Sequence, residues 1–198
     1  MLKKQVIQYI EKNTTSENKV ILCKEELEYA ERHGLLPDSV IVEQGEKEER
    51  FKELYMERCD KETDNLLEEE NEEFLNQSLD YFKKNMNEFL YVEFKALEII
   101  SVDGVTLEVD DIFSKYNAMV GLKLQKKYEP QIKAYLNETL QGDELKYALQ
   151  FSQNDGLWDL NILLPGIEGF KEDLTVGETL QLLYEYLFTL NVVVEEGK

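Results

Sequence analysis

Leu2, Val6, Tyr9 and Ile10 fall on one helical face within residues 1–13, and the turn-forming run Asn13-Thr14-Thr15-Ser16-Glu17-Asn18 then breaks the pattern. The spacing predicts a second helix over 24–33. Gly34 closes it, since glycine tolerates the left-handed conformation that follows a last turn, and Pro37 comes three residues later. Further along, Phe51, Leu54, Tyr55 and Arg58 keep helical spacing, and Leu75, Leu79, Phe82, Met86 and Phe89 advance by 4, 3, 4 and 3. Such a seam lies along one side of a helix that packs on another. It predicts one long helix from about residue 43, or two helices broken near 63–65. The seam is too short for a free coiled coil, so the packing is intramolecular.

In the second half the period changes to two. If Asp103-Gly104 forms a two-residue type I′ turn, Val102 meets Val105, Ile100 meets Leu107 and Glu98 meets Val109, leaving an apolar strip on one face. The same construction at Asp155-Gly156 pairs Phe151 with Leu160, Leu149 with Ile162 and Tyr147 with Leu164, and puts Trp158 on the side of Leu160 and Ile162. Between the hairpins, Ile112, Tyr116, Met119 and Val120 predict a helix from about Asp110, although 120–124 also alternates as a strand would. Pro130 then falls in the first turn of a helix that continues through Ile132, Tyr135, Leu136 and Leu140. After a loop at 165–169, Thr175 and Glu178 have the spacing of a capping box ahead of a last helix carrying Leu180, Leu183, Tyr184, Leu187 and Leu190.

The predicted architecture is α+β: a helical N-terminal half, then two β-hairpins with Asp-Gly turns and intervening helices (ββα-ββα), giving an antiparallel sheet packed by helices. At 198 residues it forms a single domain, 1–198, with a helical subregion 1–90 and an α+β subregion 91–198.

Charge narrows the choice of partner. The chain carries 42 Asp and Glu against 22 Lys and Arg, a formal net charge of −20, and its 42% hydrophobic content marks a folding chain rather than a disordered acidic one. A field of this sign repels phosphates, and the densest basic stretch, Lys123, Lys126 and Lys127, is too short to follow a nucleic-acid backbone. Neither nucleic acid nor an anionic membrane is an expected partner. Gln5, Gln8 and Glu11 interrupt what would be the apolar core of a leader, and Glu178, Gln181, Glu185 and Asn191 would be costly in lipid, so neither leader nor membrane span is predicted. Cys23 and Cys59 lack C-x-x-C spacing and suit a reducing compartment; the expected location is cytoplasmic.

Motifs for chemistry are scarce. His33, the lone histidine, falls in the last turn of the second predicted helix, where an imidazole serves as a cap. No Gly-x-Ser-x-Gly and no cysteine in a nucleophile context occur, so histidine-dependent hydrolysis is not expected. One histidine and two separated cysteines cannot make a zinc tetrahedron without carboxylates, the Asp-Gly pairs lack the alternating ligands of a calcium loop, and no glycine motif cradles a phosphate. No cofactor and no metal are predicted. Asp110, Asp111, Asp155 and Asp159 lie near predicted strand ends, where turn and cap roles account for them without acid–base chemistry. Gln181, Glu185 and Thr189, at i, i+4 and i+8, form a narrow polar stripe facing water.

What remains is where the charge sits. Residues 43–73 carry 14 acidic and 5 basic side chains, and such a field steers cationic partners. The sequence points first to a non-enzymatic protein–protein interaction protein, an inhibitor or antitoxin-like partner of a basic protein, with Glu68, Glu69, Glu70, Glu72 and Glu73 as the binding face. The alternative is a small-molecule-binding or enzymatic α+β domain with a pocket between the sheet and the C-terminal helix, lined by Tyr147, Trp158, Tyr184 and Tyr186. Mimicry of DNA by a row of carboxylates is a third reading. Tyr186, Phe188 and Val192 lie off the main stripe of the last helix, which completes a monomer core or forms a dimer interface; the oligomeric state stays open.

Overall fold

The computed structural model describes residues 1–111, 114–142 and 146–197. Helices α1 (Leu2–Asn13) and α2 (Lys24–His33) are the two expected from the N-terminal pattern, and Gly34 closes α2 in the left-handed conformation, φ 62°. Strands β1 (Lys19–Leu22) and β2 (Ile41–Gln44) flank α2 and pair in parallel, α2 serving as the crossover that parallel strands require.

The acidic stretch departs from the expected long helix. It holds a 3₁₀ turn (Lys47–Phe51), β3 (Tyr55–Asp60) and β4 (Leu66–Glu70), and the seam that follows is divided among a second 3₁₀ turn (Glu72–Asn76), the short helix α3 (Asp80–Lys84) and β5 (Glu88–Glu93). Glutamate favours helix by local propensity, but β3 finds pairing partners on both sides and tertiary pairing overrides that preference. The turn between β3 and β4 is built by Asp60, whose carboxylate accepts from the backbone N–H of Glu62 and of Thr63, at 3.2 and 3.0 Å.

The rest of the chain adds β6 (Val102–Val109), β7 (Tyr116–Leu122), α4 (Glu129–Thr139), β8 (Tyr147–Ser152), β9 (Leu157–Leu163) and α5 (Val176–Glu196). Seven strands form one sheet in the order β4-β3-β5-β6-β7-β9-β8, with every neighbouring pair antiparallel. The α+β arrangement of an antiparallel sheet packed by helices therefore holds. Register explains how the sheet divides inside from outside. The row Met56, Val92, Val105, Val120, Leu160 and Leu149 crosses six strands on the inner face, and the adjacent row Glu57, Tyr91, Thr106, Met119, Asn161 and Ala148 crosses them on the outer face. Leu180, Leu183, Leu187 and Leu190 of α5 are at most 1% exposed and share one core with the inner row. The capping box of Thr175 and Glu178 opens α5 as expected, and Pro130 occupies the first turn of α4.

Two details of the second half are corrected. Asp103-Gly104 is not a turn: it lies inside β6, where two residues oppose one on β7 and make a bulge between the Val102–Leu122 and Val105–Val120 pairs. The ring of Tyr91 lies over Gly104, so close that a Cβ there would come within 2.5 Å of the phenol oxygen; glycine serves close approach here, not turning. Asp155-Gly156 does sit between paired strands, but the connection spans 153–156, with Gly156 at φ 68°. Phe151 therefore meets Trp158, Leu149 meets Leu160 and Tyr147 meets Ile162. A shift of two residues preserves the faces, so the apolar strip stays inside, with Trp158 2% exposed and its ring 4.9 Å from that of Phe151. Of the helix expected from Asp110, Ile112 lies outside the described residues, while Tyr116, Met119 and Val120 belong to β7; the strand reading of 120–124 holds as far as Leu122, and the strand begins earlier, at Tyr116.

Arg50, in the first 3₁₀ turn, is the largest charged group in the interior. Its side chain is 1% exposed, lies 4.2 Å from the Tyr184 ring of α5, and donates from Nη2 to Glu25 and Glu26 of α2, the latter at 3.2 Å. Among the described residues no helix is long and apolar enough to cross a membrane. Replacing Arg50 by Leu strands the buried Glu26 carboxylate without a cation and is expected to cost about 3–5 kcal/mol in urea unfolding. The double variant Arg50→Leu/Glu26→Leu should recover part of that loss; a single variant as stable as the parent would refute the structural role given to this ion pair.

Candidate functional site

The site is built by three segments. The turn Lys47–Phe51 is fixed by Arg50, as described. The turn Glu72–Asn76 comes against the start of α5, where Gly177 allows it: a Cβ there would lie 3.2 Å from the Leu75 carbonyl oxygen. Backbone bonds lock that approach, Val176 N–H to the Gln77 carbonyl at 2.9 Å and Leu79 N–H to the Leu174 carbonyl at 3.0 Å. Between the two turns and the first turns of α5 lies an open groove of about 1130 Å³.

Its lining has two characters. Phe51, Leu75, Leu174 and Leu182, all half-buried, give an apolar floor. Around them stand seven carboxylates, those of Glu48, Glu49, Glu53, Glu72, Glu73, Glu178 and Glu185, against the two ammonium groups of Lys47 and Lys52. Both lysines are engaged, Lys52 with Glu49 at 2.6 Å and Lys47 with Glu185 at 3.2 Å, and Lys95 reaches Glu53 from outside the groove. Glu178 is occupied by the capping box, accepting from the Thr175 N–H at 2.8 Å. Glu48, Glu72 and Glu73 are exposed and meet no cation among the described residues. The arrangement presents unneutralised negative charge over a surface that an apolar side chain can cover.

The five glutamates singled out in the sequence separate into three roles. Glu72 and Glu73 line the groove. Glu68 and Glu70 point to Arg58 on the neighbouring strand, each at 2.8 Å, where Glu88 joins at 3.0 Å and Tyr81 packs its ring 5.7 Å from the guanidinium. They hold the edge hairpin together. Glu69 lies opposite Glu57 on the outer face of the sheet. Of the acids that complete the groove, Glu48, Glu49 and Glu53 belong to the acidic stretch 43–73 itself, and Glu178 and Glu185 of α5 lie far from it in sequence. The polar stripe of α5 is where they could have been found: Gln181 and Glu185 line the groove instead of facing open water, while Thr189 is exposed.

The remaining candidates are structural. Asp111 pairs with Lys61 at 3.0 Å, Asp155 accepts from the Ser152 hydroxyl at 2.6 Å, and Asp159 lies on β9 opposite Gly121 and Gln150; Asp110 donates its N–H to the Lys115 carbonyl. His33 packs on Tyr29 at 4.4 Å and lies 3.7 Å from Glu196. The space between the sheet and α5 is occupied by side chains: Trp158, Tyr184 and Tyr186 are at most 9% exposed, and Tyr147 donates to Asn137 at 3.2 Å. Among the described residues no three His, Cys, Asp or Glu side chains gather closely enough to hold a metal ion. Comparison with protein-family models, with curated proteins and with solved structures finds no match, so the functional reading stands on this geometry.

Neither thiol is set up as a nucleophile. Cys23 and Cys59 are 8% and 5% exposed, and burial pushes the Cys23 thiol up to about 11, with Arg50 opposing the shift. Near neutral pH the protonated thiol therefore dominates over the nucleophilic thiolate. In native protein both should stay unreactive towards Ellman's reagent and react fully in denaturant; rapid modification of the native chain would reveal an accessible thiolate and reopen a catalytic role.

Proposed function

We propose that the protein acts by non-covalent contact, holding a basic segment of a protein partner in the acidic groove between the two 3₁₀ turns and α5. The observation that supports this is the imbalance of seven carboxylates to two already paired lysines around an apolar floor. The net charge of −20 adds long-range attraction to the local fit. A cationic surface that is the partner's working surface would be blocked by such occupancy, which is the inhibitor or antitoxin-like role. Catalysis by the same groove has less to recommend it, since its lining holds no serine, cysteine or histidine, the Thr175 hydroxyl serves the α5 cap and both lysines are ion-paired.

A charge-matched comparison tests the reading. Glu48→Gln/Glu72→Gln/Glu73→Gln should weaken capture of a basic partner at low salt by at least about tenfold and flatten its salt dependence. The control Glu11→Gln/Glu31→Gln/Glu62→Gln changes net charge equally at exposed positions outside the groove and should leave binding near the parent value. Equal losses in both triples would mean that only the overall field matters and would sink the groove as the site.

A further inference from the structure

We propose that Gln181 and Glu185, on successive turns of α5, form a subsite for an arginine side chain of the partner, and that Lys47 holds this position in the free protein. The proposal rests on the groove reading above and specifies its ligand chemistry. Gln181 lines the groove yet is 6% exposed; its Nε2 donates to Glu185 Oε1 at 2.6 Å, and its Oε1, fully buried, meets no donor among the described residues. A buried amide oxygen without a donor is costly, and a ligand that supplies one gains by the difference. Glu185 Oε1 also takes Lys47 Nζ, at 3.2 Å, from a side chain that is 69% exposed. The groove thus already holds an intramolecular cation on the carboxylate a partner would use.

Guanidinium suits this pair better than ammonium. It carries five N–H donors in one plane, so it can serve the Glu185 carboxylate and the Gln181 oxygen together, and its weakly hydrated faces can rest on Phe51 and Leu182 of the same groove. An ammonium is a compact, strongly hydrated charge, and that of Lys47, largely exposed, meets Glu185 without reaching the Gln181 oxygen.

The test titrates the full chain, at low salt, with N-acetyl hexa-arginine amide and with hexa-lysine amide of equal charge. The arginine peptide should bind roughly fivefold tighter, the worth of about one hydrogen bond. Gln181→Leu should abolish that preference and leave the lysine peptide unaffected, whereas Lys47→Ala should tighten both peptides. Absence of either signature overturns the subsite; if Gln181→Leu does not fold, Gln181→Met, closer in shape to glutamine, takes its place with the same expected loss of the arginine preference, and retention of that preference overturns the subsite. The groove reading is judged separately: it stands if Glu48→Gln/Glu72→Gln/Glu73→Gln weakens both peptides more than Glu11→Gln/Glu31→Gln/Glu62→Gln does, and it falls if the two triples act alike or neither peptide binds.

Discussion

Taking the Arg50 guanidinium out of water costs several kcal/mol, and the neighbourhood is organised by what offsets that cost. Two carboxylates come from α2, an aromatic face comes from α5, and the turn Lys47–Phe51 supplies the arginine itself. The three segments are brought together at one charge. The parallel β1–β2 pair depends on this tie, because α2 is its crossover and α5 belongs to the main core. The groove depends on it too: Lys47 and Phe51, which form part of its wall, belong to the turn that Arg50 anchors.

The sheet was legible in the sequence where both faces had a clear preference and illegible where one did not. Around Asp155-Gly156 the alternation of Leu149, Phe151, Trp158, Leu160 and Ile162 placed the apolar side correctly, although the loop is longer than a two-residue turn, since a shift of two leaves every side chain on its face. β3 offered no such pattern. Its inward positions are Met56 and Arg58, and only the glutamates of β4 and Glu88 make an inward arginine acceptable. Without knowledge of those partners, Arg58 falls at helical spacing with Phe51, Leu54 and Tyr55, and the segment reads as a helix. The helix ends were clear for a different reason: Gly34, Pro130 and the Thr175–Glu178 box are local chemistry, complete within a few residues.

The site was half legible. Charge density along the chain pointed to 43–73, and Glu48, Glu49, Glu53, Glu72 and Glu73 do line the groove. Density does not distinguish carboxylates that are free from those already serving a cation, and Glu68 and Glu70 serve Arg58. The contribution of Glu178, Gln181 and Glu185 depends on two turns more than a hundred residues upstream folding against α5, a relation that periodicity within the helix does not contain.

One helix serves both the interior and the groove. The 21 residues of α5 supply apolar side chains that share the core with the inner row of the sheet, the ring that Arg50 rests on, and, on another stripe, Gln181 and Glu185 of the groove. The two surfaces therefore cannot be varied independently: a substitution that shifts α5 on the sheet also moves the groove's polar wall, and the acidic surface inherits its rigidity from the core beneath it.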